Sequence, residues 1–167
     1  MPTTVRPRPR RRDGLRGGLL GALLAGSAFG GGAILAGCSP PIDPASPPFR
    51  AIDYDAAREA ARVEGKVVFV DFYASWCPPC RRLDAVTWKD PTVQAWLEAN
   101  TIPLKIDAEA HGELAWAFMV EAYPTMVFVD AEGEELGRML GFLPPERFLQ
   151  AAREVVATEP SEAANAG

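Results

Sequence analysis

From Lys66 to Ala74 the chain reads KVVFVDFYA, in which only Lys66 and Asp71 are charged and the rest are apolar or aromatic. A strand with one wet face alternates in polarity, whereas a short continuous run of this kind marks a strand covered on both faces. That requirement calls for helices above and below it, and the flanking sequence supplies them. YDAAREAARVEG carries helix formers and a stop at Gly65. CRRLDAVTW reads helical, and DPTVQAWLEAN restarts a helix with Asp90 as N-cap and Pro91 in its first turn. TIPLKIDA reads as a second inner strand, and GELAWAFMVEA as a helix that stops before Pro124. TMVFVD and LGRMLGF flank AEGEE as a hairpin bent at Glu132-Gly133, and PPERFLQAAREVVAT closes the chain as an amphipathic helix. PFRAI adds a short strand in front. The expected class is α/β: a central mixed sheet of four to five strands, parallel inside, with helices on both faces and an antiparallel hairpin at its edge.

The chain ahead of this domain has a different character. Arg-rich positions 6–16 lead into a stretch without charge from Gly17 to Cys38, the pattern of a secretory signal peptide rather than of a fold element. Leu35-Ala36-Gly37-Cys38 resembles the lipobox of bacterial lipoproteins, which implies cleavage before Cys38, lipidation of that cysteine and attachment to a membrane through it. A membrane-spanning helix is the competing reading, since about 20 apolar residues suffice to cross a bilayer. Arg11-Arg12-Asp13-Gly14-Leu15 resembles a loose twin-arginine export motif, and Ser39 after the cysteine points towards an outer membrane. SPPIDPASPP, residues 39–48, reads as an extended, semi-rigid spacer. The expected partition is a signal peptide over 1–37, anchor and linker over 38–48, the domain over 49–158 and a disordered tail over 159–167, with the domain outside the cytoplasmic membrane.

A length of 167 residues, 48% of them apolar, suits one globular core. Of the 17 basic side chains, six fall in the first 16 residues; from Cys38 onward 11 basic side chains face 21 acidic ones, a net of −10. Such a balance opposes nucleic acid, and no nucleic-acid partner is expected.

The chemistry is carried by Cys77-Pro78-Pro79-Cys80, directly after the buried strand. A structural zinc needs four ligands, and the chain offers three cysteines and one histidine; no metal or other cofactor is called for. A staple enclosing two residues stabilises little. Thiol exchange remains. A cysteine between strand end and helix start meets free backbone N–H groups and the positive end of the helix dipole, which favour a thiolate. Cys77 is therefore expected to attack, and Cys80, one turn on, to resolve the mixed disulfide.

VDFYASWCPPC, with AYPTMVFVD 44 residues on, resembles the two landmarks of the thioredoxin family, and TWKDPTVQAWL is similar to a segment found in the C-terminal periplasmic domain of the DsbD interchange proteins. The resemblance covers roughly residues 49–157. It implies a thioredoxin-like fold, a redox disulfide between Cys77 and Cys80, and a cis peptide at Pro124 that leaves the backbone of Tyr123 and Thr125 open to an extended substrate. Trp76 and Pro78 would line the thiol's rim. Asp71 matches the family's buried acid; costly to bury ionised, it would accept the proton of Cys80. His111 is expected to be a surface or capping residue, Trp88, Trp96 and Trp116 to be core, and Arg81 and Arg82 to be solvated helix charges. The activity implied is a thiol:disulfide oxidoreductase acting on envelope proteins that bear thiols or disulfides, as a reductase fed by a separate membrane electron donor. A disulfide oxidant or isomerase, or a client-binding module without redox chemistry, remains open.

Overall fold

The computed structural model describes residues 41–157. The signal peptide, Cys38 and the tail from residue 159 lie outside the described residues. Helix α1 (Tyr54–Glu64) leads into strand β1 (Val67–Tyr73) and then α2 (Pro78–Arg82), which continues as a π-helical turn over Leu83–Thr87. Next come α3 (Pro91–Asn100), β2 (Thr101–Asp107), α4 (Gly112–Ala117), β3 (Thr125–Val129), β4 (Glu135–Leu140) and α5 (Pro145–Ala157). The helix starts follow their caps: Asp53 accepts from the Ala56 N–H at 2.8 Å, and Asp90 from the N–H groups of Thr92 and Val93. Gly65, at φ 64°, closes α1 in the left-handed conformation that a side chain disfavours.

The sheet order is β2-β1-β3-β4, with β1 parallel to β2 and the pairs β1/β3 and β3/β4 antiparallel. Every residue of β1 is buried, as its composition requires. Val67 and Phe69 face one core with Trp88, Leu97, Phe128 and Phe148, beneath the π-helical turn, α3 and α5. Val68, Val70 and Phe72 face the other, against Ala57, Ala61, Ile102, Leu104 and Val127.

Four expectations need correction. PFRAI forms no strand: Arg50 N–H reaches the Pro103 carbonyl at 2.8 Å, but Pro103 has no N–H to return a second bond, so the ladder stops after one rung. The sheet therefore has four strands; β2 is an edge, and the hairpin contributes one inner strand, β3, and one edge, β4. The described part of the linker is folded onto the domain rather than extended. Asp43 closes a turn by accepting from Ala45 N–H and, through its carbonyl, from Ser46, while Phe49 is buried and Ile42 packs against the cysteine pair, so the domain begins at about Ile42. Helix α4 stops at Ala117: Met119 takes φ 50°, and its N–H and that of Val120 cap the carbonyls of Trp116 and Ala115. In so short a helix only Ala115 is buried, and Trp116, expected in the core, is 82% exposed.

Candidate active site

The end of β1 delivers Tyr73 and Ala74 to a bend, and Cys77 follows as the N-cap of α2. Cys77 and Cys80 form a disulfide, with Cα atoms 5.4 Å apart. Both cysteines are buried, among Tyr73, Ala74, Tyr123 and Ile42. Pro78 and Pro79 fill the first helical positions, where proline fits well because the N–H groups there lack helical partners. They also withhold two donors from the sulfur: the Cys80 N–H, 3.2 Å from Cys77 Sγ, is the one that reaches it.

Around the pair, Trp76 is 60% exposed, its ring edge-on to Tyr123 at 5.9 Å and its Nε1–H donating to Glu109 at 2.9 Å. Pro78 is exposed. Arg81 donates to the Ser75 carbonyl, and Arg82 lies over the Phe142 ring at 4.2 Å, so both are more engaged than solvated charges. The Tyr123–Pro124 peptide is cis. Pro124 is buried, its carbonyl accepts from Gly141 N–H, and Thr125 Oγ1–H donates to the Ala122 carbonyl. His111 is exposed at the start of α4, with no side-chain capping bond.

Asp71 is fully buried, and it is not the isolated acid that its strand implies. Its Oδ2 accepts from Trp88 Nε1–H at 3.0 Å and from Lys105 Nζ at 2.7 Å, and Lys105 is opposite it in the parallel register of β2. Lys105 in turn reaches Asp84 Oδ1 at 2.7 Å, and its ammonium stands 5.1 Å from the Phe49 ring centre and 5.0 Å from that of Tyr73. Asp71 and Lys105 side chains are wholly inaccessible, whereas that of Asp84 is 26% exposed. Burial pulls the Lys105 ammonium pKa down, but the two carboxylates outweigh it and hold it above the ordinary lysine value. Burial pushes Asp84 up from the usual carboxylate range, against the attraction of Lys105. Asp71 Oδ1 and Asp84 Oδ2 are buried without a hydrogen-bond partner among the described residues.

Lys105 and Asp84 were missed in the sequence. The available signals were a lysine inside the otherwise apolar TIPLKID and an acid four positions after Cys80, on the same helical face. Trp88, expected simply as core, is buried there and also holds Asp71. Trp96 is partly buried against the same core.

A family model described as a thioredoxin-like domain matches residues 54–155. The thiol:disulfide interchange protein DsbD of Yersinia pestis is 38% identical over 96 residues, which cover 54% of this chain and 16% of that protein. The chain thus spans about one sixth of the length of the curated relatives it matches. Among solved structures, a putative disulphide-isomerase from Bacteroides thetaiotaomicron is 34% identical with a TM-score of 0.60, over 68% of this chain and 95% of that one. The oxidised DsbD C-terminal domain of Neisseria meningitidis is 26% identical with a TM-score of 0.52, over 59% of this chain and 89% of that one.

Proposed function

The chain belongs to the thioredoxin-like domain family, and from that premise we propose that it is a thiol:disulfide oxidoreductase whose Cys77–Cys80 pair reduces disulfides of extracytoplasmic proteins. The observation that carries this reading is the bonded cysteine pair at the start of α2, packed against Tyr123 beside a cis-proline. In the reduced enzyme the Cys77 thiolate attacks one sulfur of the client disulfide. A Cys77–client bond forms, and the client's other sulfur leaves as a thiolate. Cys80 then gives up its proton and attacks Cys77 Sγ; the Cys77–Cys80 bond forms, and the second client sulfur leaves. Two electrons pass to the client, whose thiolates take up protons. Asp71 is the acceptor for the Cys80 proton; Lys105 and Trp88 hold it in place, and Asp84 holds Lys105. Trp76, Pro78 and Tyr123 border the approach, where an extended client segment pairs with the backbone of Tyr123; Thr125, expected there as well, is fully buried and paired to β1 and β4 on its two sides, so the sheet already uses its backbone.

Return to the dithiol state needs an electron donor, which we take to be a separate membrane protein. Attachment through a lipidated Cys38 and an envelope location rest on the Leu35-Ala36-Gly37-Cys38 pattern. The direction of transfer is supported by the two prolines. An oxidant owes its potential to a well-stabilised thiolate, and Pro78 and Pro79 remove two of the N–H groups that would provide it. The similarity to a putative disulphide-isomerase keeps isomerisation as the second reading.

Two measurements test this. Equilibration with glutathione should give a potential near thioredoxin's, about −270 mV; a value of about −120 to −180 mV would make the protein an oxidant or isomerase. Cys77→Ser should abolish reduction of insulin disulfides, and a variant that still supports the full cellular role would leave only client binding.

A further inference from the structure

Single exposed apolar side chains are ordinary on a soluble surface. Trp116 and Met119 are not single. They are 82% and 72% exposed, and the Met119 N–H donates to the Trp116 carbonyl at 2.9 Å, so the two stand one turn apart on the same corner. The fold has no need of either: Ala115 supplies the buried contact of α4, and Met119 takes a left-handed conformation that a glycine would fill with less strain. Beside them, Gly112, Glu113, Trp116 and Ala117 line a hollow of about 540 Å³. A short stretch of chain leads from this corner to the dithiol. Met119 and Tyr123 are four positions apart, a span of about 14 Å at most, and Tyr123 touches Trp76 and packs against the cysteine pair.

The stretch of chain that carries this corner has acidic side chains and no lysine or arginine. Between Lys105 and Arg138 the sequence has no lysine or arginine, while Asp107, Glu109, Glu113 and Glu121 fall within the stretch that carries Trp116 and Met119. Lys105 is buried, and Arg138, which reaches the Phe118 carbonyl, is neutralised by Glu135. An anionic lipid surface is repelled by such a rim, and a cationic partner is drawn to it.

We propose that Trp116 and Met119, with Glu113 beside Trp116 and Glu109 and Glu121 in the same stretch of chain, are a docking surface for a protein client whose chain beside its disulfide is basic and apolar. The inference rests on the disulfide-exchange reading and adds the substrate class. Trp116 fills the role of aromatic anchor that dominates interface energies, and the carboxylates select by charge.

The test uses the full chain in detergent and two labelled synthetic peptides of equal length, with capped cysteines: one flanked by lysine and leucine, the other by glutamate and serine. Fluorescence anisotropy should show the lysine–leucine peptide binding at least about tenfold more tightly, with the preference shrinking as salt rises. Trp116→Ala should lose the tight binding, and the double variant Glu113→Lys, Glu121→Lys should lose the charge preference. Equal binding of the two peptides, or full retention of the preference by Trp116→Ala with an unchanged melting temperature, overturns the proposal. So does sedimentation showing a dimer that Trp116→Ala dissociates, because the occupant is then a second copy. Turnover of hydroxyethyl disulfide, too small to use the corner, reads the dithiol chemistry separately: its absence counts against the oxidoreductase reading, while the binding result stands on its own.

Discussion

The two faces of β1 are built from alternate residues of one strand, yet they do different work. Val68, Val70 and Phe72 pack into an apolar cluster drawn from α1, β2, β3, Ala115 of α4 and Phe118. On the other face Val67 and Phe69 begin in the same manner, and Asp71 then brings a carboxylate inside, with Lys105, Asp84 and Trp88 gathered around it. The first face holds the sheet together by excluding water. The second gives up part of that stability to keep charge inside the fold, against Tyr73, which packs with the cysteine pair, since desolvating an ion pair costs about as much as its attraction returns. The difference teaches where to look for function in β1: at Asp71, its one charged residue, where burial and polarity conflict.

The sharpest way to break the contrast is Lys105→Met. It leaves Asp71 buried without its cation and should cost about 3–5 kcal/mol of stability, measured by urea denaturation. Because the Lys105 pKa is raised in the fold, its contribution is complete below the ordinary lysine value of 10.5 and is lost as pH climbs through the raised one. The variant should lack that alkaline loss, and Cys80 should titrate at higher pH with the cation gone. Adding Asp71→Leu and Asp84→Leu should recover much of the stability and none of the wild-type titration. Recovery of both would show that the cluster is only structural.

On the opposite face, Leu104→Ala should cost about 2–4 kcal/mol by opening a cavity while leaving thiol alkylation against pH unchanged. A shifted alkylation curve would mean that the two faces are not separate in function. The smallest effect is expected from Pro79→Ala, which returns one N–H to the start of α2. The alkylation midpoint of Cys77 should move down by less than about one pH unit, the size of a single helix-end interaction. No movement would remove the physical basis for assigning direction to the prolines.

Much of this was legible before any coordinates. The strand run of β1, the caps at Asp53 and Asp90, the stop at Gly65 and the hairpin bend near Gly133 all form as their local sequences dictate. The motif pair CPPC and Tyr123-Pro124-Thr125 pointed to the candidate site, where Tyr123 packs against the Cys77–Cys80 pair and its bond to Pro124 is cis. What misled were residues whose local pattern was sound but whose neighbours lay elsewhere. PFRAI has strand composition and meets a proline; GELAWAFMVEA has helical composition and is capped at Met119, which turns Trp116 outwards.

The sequence alone determined most of the elements, their order and the thiol pair, because capping, periodicity and turn chemistry act between residues a few positions apart. Only the tertiary structure decided that Lys105 would face Asp71 across 34 residues, that Asp84 would complete the cluster from the π-helical turn, and that Ile42 would fold back onto the cysteines. These depend on strand register and on which surfaces are left to cover. No local stretch encodes such choices, since their free energies arise only when distant segments come out of water together.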